Sequence, residues 1–226
     1  MTMPVKRELF VVVADLDAEN VIRTLLKDRQ EALDIELDFA AGTDLLRYTG
    51  RDCGCRTDAV KILRRVQETH DRALIIFDHH GSGSEDTAAP DLEGQIEKGL
   101  ARSGWLPQRV AAIVIDPELE AWVWSGSPQV SKVLGWKQGH PALRGFLAAG
   151  GHWPAALSKP PDPKKALEEA TRRTRTPRVS SLFSDLAATV SVKGCSDRAF
   201  LKLTDALRKW FPRAAMTSEA AKAGRR

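Results

Sequence analysis

The chain has 226 residues, 42% hydrophobic and 28% charged, a balance that excludes collagen-like, disulfide-scaffold and disordered classes. No stretch approaches the roughly 20 uninterrupted apolar residues of a membrane span, and the start MTMPVKRE has no apolar signal core behind it. A cytoplasmic protein with no membrane partner is therefore predicted, and three cysteines, two of them in Cys53-Gly54-Cys55, fit a reducing compartment. The formal net charge of +4 conceals a division. Residues 1–120 carry 15 Lys and Arg against 23 Asp and Glu, a balance of −8, whereas residues 121–226 carry 19 against 7, a balance of +12.

Residues 9–13 (LFVVV) are a continuous apolar run, the pattern of a strand buried on both faces of a sheet, and the run gives way to Asp15. From Glu19 onward Val21, Ile22, Leu25 and Leu26 fall at helical spacing, so this strand feeds a helix through a short acidic turn. Residues 35–39 (IELDF) alternate and read as a second strand. Residues 42–57 then hold a Gly-rich connection to a helix over 58–70, with Val60, Leu63 and Val66 on one face. Residues 73–77 (ALIIF) read as a third strand ending at Asp78, followed by a small polar loop whose GSGS portion reads as mobile. A helix over 91–102 leads to a fourth strand, AAIVI at 111–115, ending at Asp116. Strands alternating with helices at these spacings predict an α/β fold with a Rossmann-like, mostly parallel four-stranded sheet. In such sheets ligands bind at the carboxyl ends of the strands.

Asp116 can cap a helix that opens on Pro117 and runs through PELEAWVW. Beyond Gly126 no strand pattern is evident, and helical pieces near 128–135, 141–149, 163–173, 180–190 and 197–210 are separated by Gly and Pro. The predicted organisation is an α/β core over 1–125, a basic helical extension over 126–213 and a flexible basic tail over 214–226. Trp105, Trp136, Trp153 and Trp210 read as packing anchors, and at least one of Trp122 and Trp124 should lie in the core.

Three of the four predicted strands finish in carboxylates: Asp15, Asp17 and Glu19 after the first, Asp78 after the third, and Asp116, Glu118 and Glu120 after the fourth. In a parallel sheet these groups converge on one edge, where they repel one another unless a cation neutralises them. Hard oxygen ligands suit Mg²⁺ or Mn²⁺, and His79 and His80 tilt the choice toward Mn²⁺. The expected metal ligands are Asp15, Asp17, Asp78, His80, Glu118 and Glu120. The expected catalytic set is Asp15, Glu19, Asp78, His79 and His80. Any single Asp at a strand end is more often a helix cap; it is the set that points to metal-assisted attack on a phosphoester.

The segment LFVVVADLDAENVIRTLL resembles the first strand and helix of TOPRIM proteins, with Asp15 at the family's leading Glu, Leu16 at its Gly and Glu19 at the following acid. IIFDHHGSG resembles the family's strand ending in Asp-x-Asp-Gly: Asp78 and Gly81 match, and His80 replaces the second Asp. With PELEAWVW, KPPDPKKALEEA and AFLKLTDALRKWFP, most of the chain is similar to the small TOPRIM-like proteins encoded beside ATPases, methyltransferases and nucleases in bacterial antiphage defence islands. The resemblance implies a TOPRIM core, an acid or base at Asp15, Mg²⁺ held at Asp78, and a partner ATPase or defence complex. Asp for Glu moves the carboxylate by about one C–C bond, and His for Asp removes an anionic ligand. A weaker similarity joins Asp15, Asp17 and the run Asp78-His79-His80 to DHH phosphoesterases, in which Asp38 would be the candidate ligand after the second strand.

The cluster Lys159, Lys164, Lys165, Arg172, Arg173, Arg175 and Arg178 is dense in positive charge. Such a run is a solvated face or a surface that tracks phosphates, and Lys164, Lys165, Arg172, Arg173, Arg175 and Arg178 are the expected contacts to nucleic acid. No recognition-helix or RNP signature is present, so binding without sequence preference is predicted. Two functions follow as expectations: a divalent-metal-dependent phosphodiester-cleaving or nucleic-acid-processing component of a defence system, or a non-catalytic binding or scaffold subunit on the same fold.

Overall fold

The computed structural model describes residues 5–124 and 126–213, so the predicted basic tail lies outside the described residues. In chain order the helices are α1 (Leu16–Asp28), α2 (Gln30–Leu33), α3 (Ala41–Asp44), α4 (Arg51–Arg64), α5 (Ala89–Arg102), α6 (Pro128–Val133), α7 (Gly139–Ala149), α8 (Pro163–Thr174), α9 (Ser180–Thr189) and α10 (Arg198–Trp210). The strands β1 (Arg7–Val13), β2 (Leu45–Arg47), β3 (His70–Asp78) and β4 (Val110–Ile115) form one sheet in the order β2-β1-β3-β4, with every pairing parallel. The protein is α/β, a Rossmann-like core joined to a helical part. Among the described residues no helix is long and apolar enough to cross a membrane.

Alternation along the central strands builds two cores from one sheet. Val11, Val13, Leu74, Ile76, Ile113 and Ile115 enter one, and Val12, Ile75, Phe77, Ala112 and Val114 enter the other. None of these is more than 1% exposed, and each large side chain so buried contributes about 2 kcal/mol. α4 and α5 cover the second face through Ala59, Leu63, Leu92 and Leu100. α1 covers the first face through Ile22, Leu25 and Leu26, and the same apolar cluster continues into α6 to α10 as far as Phe211. The five helices predicted after Gly126 all form, and Trp122 and Trp124 are both buried.

The differences from the sequence reading have local causes. Residues 35–39 join no ladder; Ile35 makes a single antiparallel bridge to Pro212, and its alternation with Leu37 reflects two side chains buried beside the first core. The second strand is instead Leu45–Arg47, three residues at a sheet edge, too short and too exposed to give an apolar run. α4 starts at Arg51 and takes in Cys53-Gly54-Cys55, because the Tyr48 ring lies on Gly50 and Gly54, where a Cβ would come within 2.7 and 2.9 Å of its Cε1 atom. The helix predicted from Pro117 through PELEAWVW does not form among the described residues, where only Leu119–Trp122 make a 3₁₀ turn. The GSGS loop is tethered, since Arg56 Nε donates to the Ser82 carbonyl at 2.7 Å and the Gly81 and Gly83 amides donate to Glu85 Oε1 at 2.9 and 3.2 Å.

The strand order decides where a ligand can sit. From β1 the chain crosses to β2 on one side, and from β3 it crosses to β4 on the other, so the connections diverge between the carboxyl ends of β1 and β3. The opposite edge is closed by a buried polar cluster. Asp44, fully buried, accepts from Arg7 and from the Ala40 amide at 2.7 Å, with His70 Nε2 at 3.3 Å. Burial alone would raise the Asp44 carboxyl, but the hydrogen bonds from Arg7, Ala40 and His70 outweigh it and hold it below its ordinary value. Burial depresses His70.

Both depressed groups contribute stability that is present above their unfolded values and lost as pH falls through the folded ones. Urea unfolding should therefore show a loss of stability as pH drops below about 6.5, where unfolded His takes up its proton, and a further loss below about 4 from Asp44. His70→Gln should flatten the first step, and Asp44→Asn should cost about 2 kcal/mol at pH 7.5 by leaving its donors unmatched.

Candidate metal centre

Each βα junction delivers a carboxylate to the edge where the connections diverge. Asp15 caps α1, its Oδ1 accepting from the Ala18 amide at 2.8 Å. Asp52 stands in the first turn of α4, and its Oδ1 accepts from the Asp78 amide at 2.9 Å. Asp78 is the last residue of β3, and Glu118 and Glu120 flank the start of the 3₁₀ turn after β4. Oxygens of Asp78, Glu118 and Glu120 lie within 4.8 Å of one another, so this acidic triad can hold a divalent metal ion. The donor set fits that use: three carboxylates supply hard oxygen ligands, and Glu118 and Glu120 are only 9% and 4% exposed.

Electrostatics separate the members of the group. Burial, aided by the charges of Asp52, Asp15 and Glu120, pushes Asp78 well above the usual carboxylate range. Burial also raises Asp52, with Asp15 adding to it, and raises Glu120 despite the guanidinium of Arg178 beside it. Glu118 goes the other way: burial acts to raise it, but hydrogen bonds from Lys164 and His80 hold it below its ordinary value. Cys55, buried under the same edge, is pushed up to about 12 by burial and by Asp52 and Asp15, so its thiol stays protonated.

Of the residues expected as metal ligands, Asp78, Glu118 and Glu120 come together, and Asp15 lies close enough to raise Asp78 and Asp52. Asp17 falls outside the triad, in a shallow cleft with Arg47, Tyr48 and Arg51. Glu19 is engaged by Arg23 and, at 3.3 Å, by Arg47. His79 turns to the Thr87 carbonyl at 2.9 Å, with Asp116 at 3.4 Å, and His80 Nδ1 bonds Glu118 Oε1 at 2.8 Å, so His80 touches a triad carboxylate without joining the triad. Asp38 lies elsewhere, its amide donating to Glu8. Asp52 was not anticipated. Its signal was available as the acid in the first turn after the second strand, and the misplacement of that strand hid it.

The basic cluster divides. Lys165, Arg172, Arg173 and Arg175 are exposed, with Arg172 paired to Glu169. Lys159 Nζ bonds the Ala121 carbonyl and Asp197, each at 3.0 Å. Lys164 and Arg178, expected to reach nucleic acid, point instead at the triad: Lys164 Nζ is 2.8 Å from Glu118 Oε2, and Arg178 bonds Glu120 Oε1. No family model, no curated protein and no solved structure matches this chain.

Raised acids contribute stability below their unfolded values and lose it as pH rises through the folded ones. In the presence of a chelator, Asp78→Asn should therefore be more stable than the wild type at pH 7.5, by about 1 kcal/mol, with a shallower fall as pH rises above about 4. Mn²⁺ should raise the melting temperature of the wild type and leave that of Asp78→Asn unchanged in a thermal-shift titration.

Proposed function

We propose that this protein is a divalent-metal-dependent phosphodiester-cleaving or nucleic-acid-processing component of a bacterial defence system, using Mg²⁺ or Mn²⁺. The observation that carries the reading is the convergence of Asp78, Glu118 and Glu120 at the edge where the sheet's connections diverge. A metal ion there would supply charge neutralisation and an activated water for attack on a phosphoester. Asp78, Glu118 and Glu120 would hold it. Asp52, with one oxygen on the Asp78 amide and its carboxyl raised by burial, is suited to proton transfer beside it. A TOPRIM relationship is consistent with Asp15 after β1 and Asp78 after β3. A partner ATPase or defence complex would then deliver the substrate.

The exposed Lys165, Arg172, Arg173 and Arg175 would meet the phosphates of nucleic acid without reading bases. A second reading, a non-catalytic scaffold on the same fold, is favoured by one feature: His80, Lys164 and Arg178 already engage two of the three triad carboxylates. Cleavage assays on single- and double-stranded DNA and on RNA, with Mn²⁺ or Mg²⁺, separate the two. The first reading expects cleavage that falls at least 100-fold in Asp78→Ala. If no cleavage appears, and biological activity survives Asp78→Ala but not charge reversal at Arg172, Arg173 and Arg175, the scaffold reading replaces it.

In either case Arg173→Ala with Arg175→Ala should weaken DNA binding whatever the sequence. The slope of log affinity against log salt should drop by about 2, near 0.9 per phosphate contact removed, measured by fluorescence anisotropy between 50 and 200 mM salt.

A further inference from the structure

We propose that Lys164 and Arg178 are built-in counter-ions of the carboxylate edge, and that a divalent cation loads the triad by displacing them from Glu118 and Glu120. This rests on the reading of the triad as a metal centre, and it adds what regulates that centre.

The segment from Glu118 to Trp124 is bound at four points to the stretch 159–178. Lys164 Nζ meets Glu118 Oε2 at 2.8 Å, Arg178 bonds Glu120 Oε1, Lys159 Nζ meets the Ala121 carbonyl at 3.0 Å, and Trp124 Nε1 donates to the Pro163 carbonyl at 3.0 Å. Two of those points hold backbone, and the other two hold triad carboxylates. Placement of Lys164 follows from the local sequence: Asp162 caps α8, accepting from the Lys165 amide at 2.9 Å, and Pro163 opens the helix, which sets Lys164 in its first turn. There a cation is at the unfavourable end of the helix dipole, so its position is explained by Glu118 and not by the helix.

Both oxygens of Glu118 are taken, Oε1 by His80 Nδ1 at 2.8 Å and Oε2 by Lys164. Glu120 has Arg178 on Oε1, and among the described residues no ion pair forms to Asp78. The two cations thus neutralise two triad members and leave the third, Asp78, with the Leu119 amide as its hydrogen-bond donor and the carboxylates of Asp52, Asp15 and Glu120 around it. A carboxylate oxygen has lone pairs enough for a metal and an ammonium together. Two positive centres sharing one oxygen in a partly buried edge nevertheless repel each other strongly, because water screens them poorly there. The side chains of Lys164 and Arg178 are 47% and 31% exposed, so both can swing toward solvent, Arg178 leaving the face of the Phe183 ring, whose centroid lies 5.9 Å from its guanidinium carbon. Metal occupancy and contact between the helical extension and the sheet edge are then linked equilibria, each opposing the other.

Calorimetric titration of the full chain with MnCl₂ tests this. Lys164→Gln should bind Mn²⁺ several-fold tighter than wild type, and Lys164→Gln with Arg178→Gln about tenfold or more. Lys165→Gln, which removes an equal charge one residue away, should bind within twofold of wild type. In the wild type, acetylation of Lys164 by acetic anhydride, read by mass spectrometry, should accelerate at least threefold when Mn²⁺ is added. If the double variant fails to fold, Lys164→Gln and the labelling rate decide. Unchanged or weaker Mn²⁺ binding in Lys164→Gln, tightening equal to that of Lys165→Gln, or a Lys164 labelling rate that ignores Mn²⁺ would each overturn the displacement. Should Mn²⁺ bind wild type and Lys164→Gln alike while Asp78→Asn abolishes binding, the metal centre stands and only the displacement falls. Should none of them bind Mn²⁺, the metal reading itself falls, and the displacement with it.

Discussion

Parallel strands all finish at the same edge, and that constraint sets the chemistry of this protein. β1, β3 and β4 are buried on both faces, so their centres can carry only apolar side chains, and the polar residues of the chain are driven to the strand ends. At the carboxyl end those residues are Asp15, Asp52, Asp78, Glu118 and Glu120. Where four strands turn into the segments that follow them, acids arrive from every strand at once, and burial raises Asp52, Asp78 and Glu120. A fold selected only for stability would not concentrate like charge at one partly buried edge. Such local cost is the usual mark of a site kept for function.

The amino end shows the contrasting solution. Asp44 is also a buried acid at a strand junction, yet Arg7, His70 and the Ala40 amide satisfy it fully, and its carboxyl is held low. The outer edge of β4 is treated similarly. Glu97 and Glu93 accept from the Ala112 and Val114 amides at 3.0 and 2.8 Å, and Arg198 donates to the Val114 carbonyl at 2.7 Å, so side chains replace the missing neighbour strand and close the edge to a further one. Asp44 is matched by a cation and further donors from its own surroundings. Asp78 has only the Leu119 amide among its neighbouring acids, and that difference separates a structural acid from a candidate ligand.

Much of this was legible in the sequence wherever burial was two-sided. LFVVV, ALIIF and AAIVI, short and rich in β-branched residues, read as central strands, and the helices α1, α5 and α6 to α10 follow from amphipathic spacing bounded by Gly, Pro and Asp caps. Periodicity failed where the structure is held by something other than an apolar stripe. β2 is three residues fixed by pairing to Val11, Val12 and Val13, which no local pattern reveals. The start of α4 depends on a distant fit, the Tyr48 ring against Gly50 and Gly54, and glycines there read as a loop. PELEAWVW has the composition of a helix, but its residues Glu118 and Glu120 turn to the acidic triad with Asp78 and to cations 46 and 58 residues further on. The three triad carboxylates were therefore visible as strand-end acids, while Asp52 and the true partners of Lys164 and Arg178 were not.

Those partners give the uneven distribution of charge its physical meaning. The acidic first half and the basic second half are not two surfaces awaiting different ligands throughout their length. Lys164 with Glu118, Arg178 with Glu120, Arg198 with Glu93, and Lys202 with Glu93 and Glu97 all pair a cation of the second half with a carboxylate of the first. The helical part lays its apolar side against the first half, α10 on β4 through residues such as Phe200 and Leu203 and α9 on α1 through Phe183, and brings its positive charge to two places where the first half has acids to neutralise: the outer edge of β4 and the carboxyl ends. At β4 the pairing is backed by hydrogen bonds to backbone and the Glu93 carboxyl is nearly sealed from water, so those cations serve the fold. At the carboxyl ends the cations are side chains half open to solvent, resting on acids that a metal ion would also bind. The same complementarity of charge is fixed in one place and exchangeable in the other, and the exchangeable one stands where the topology places a ligand.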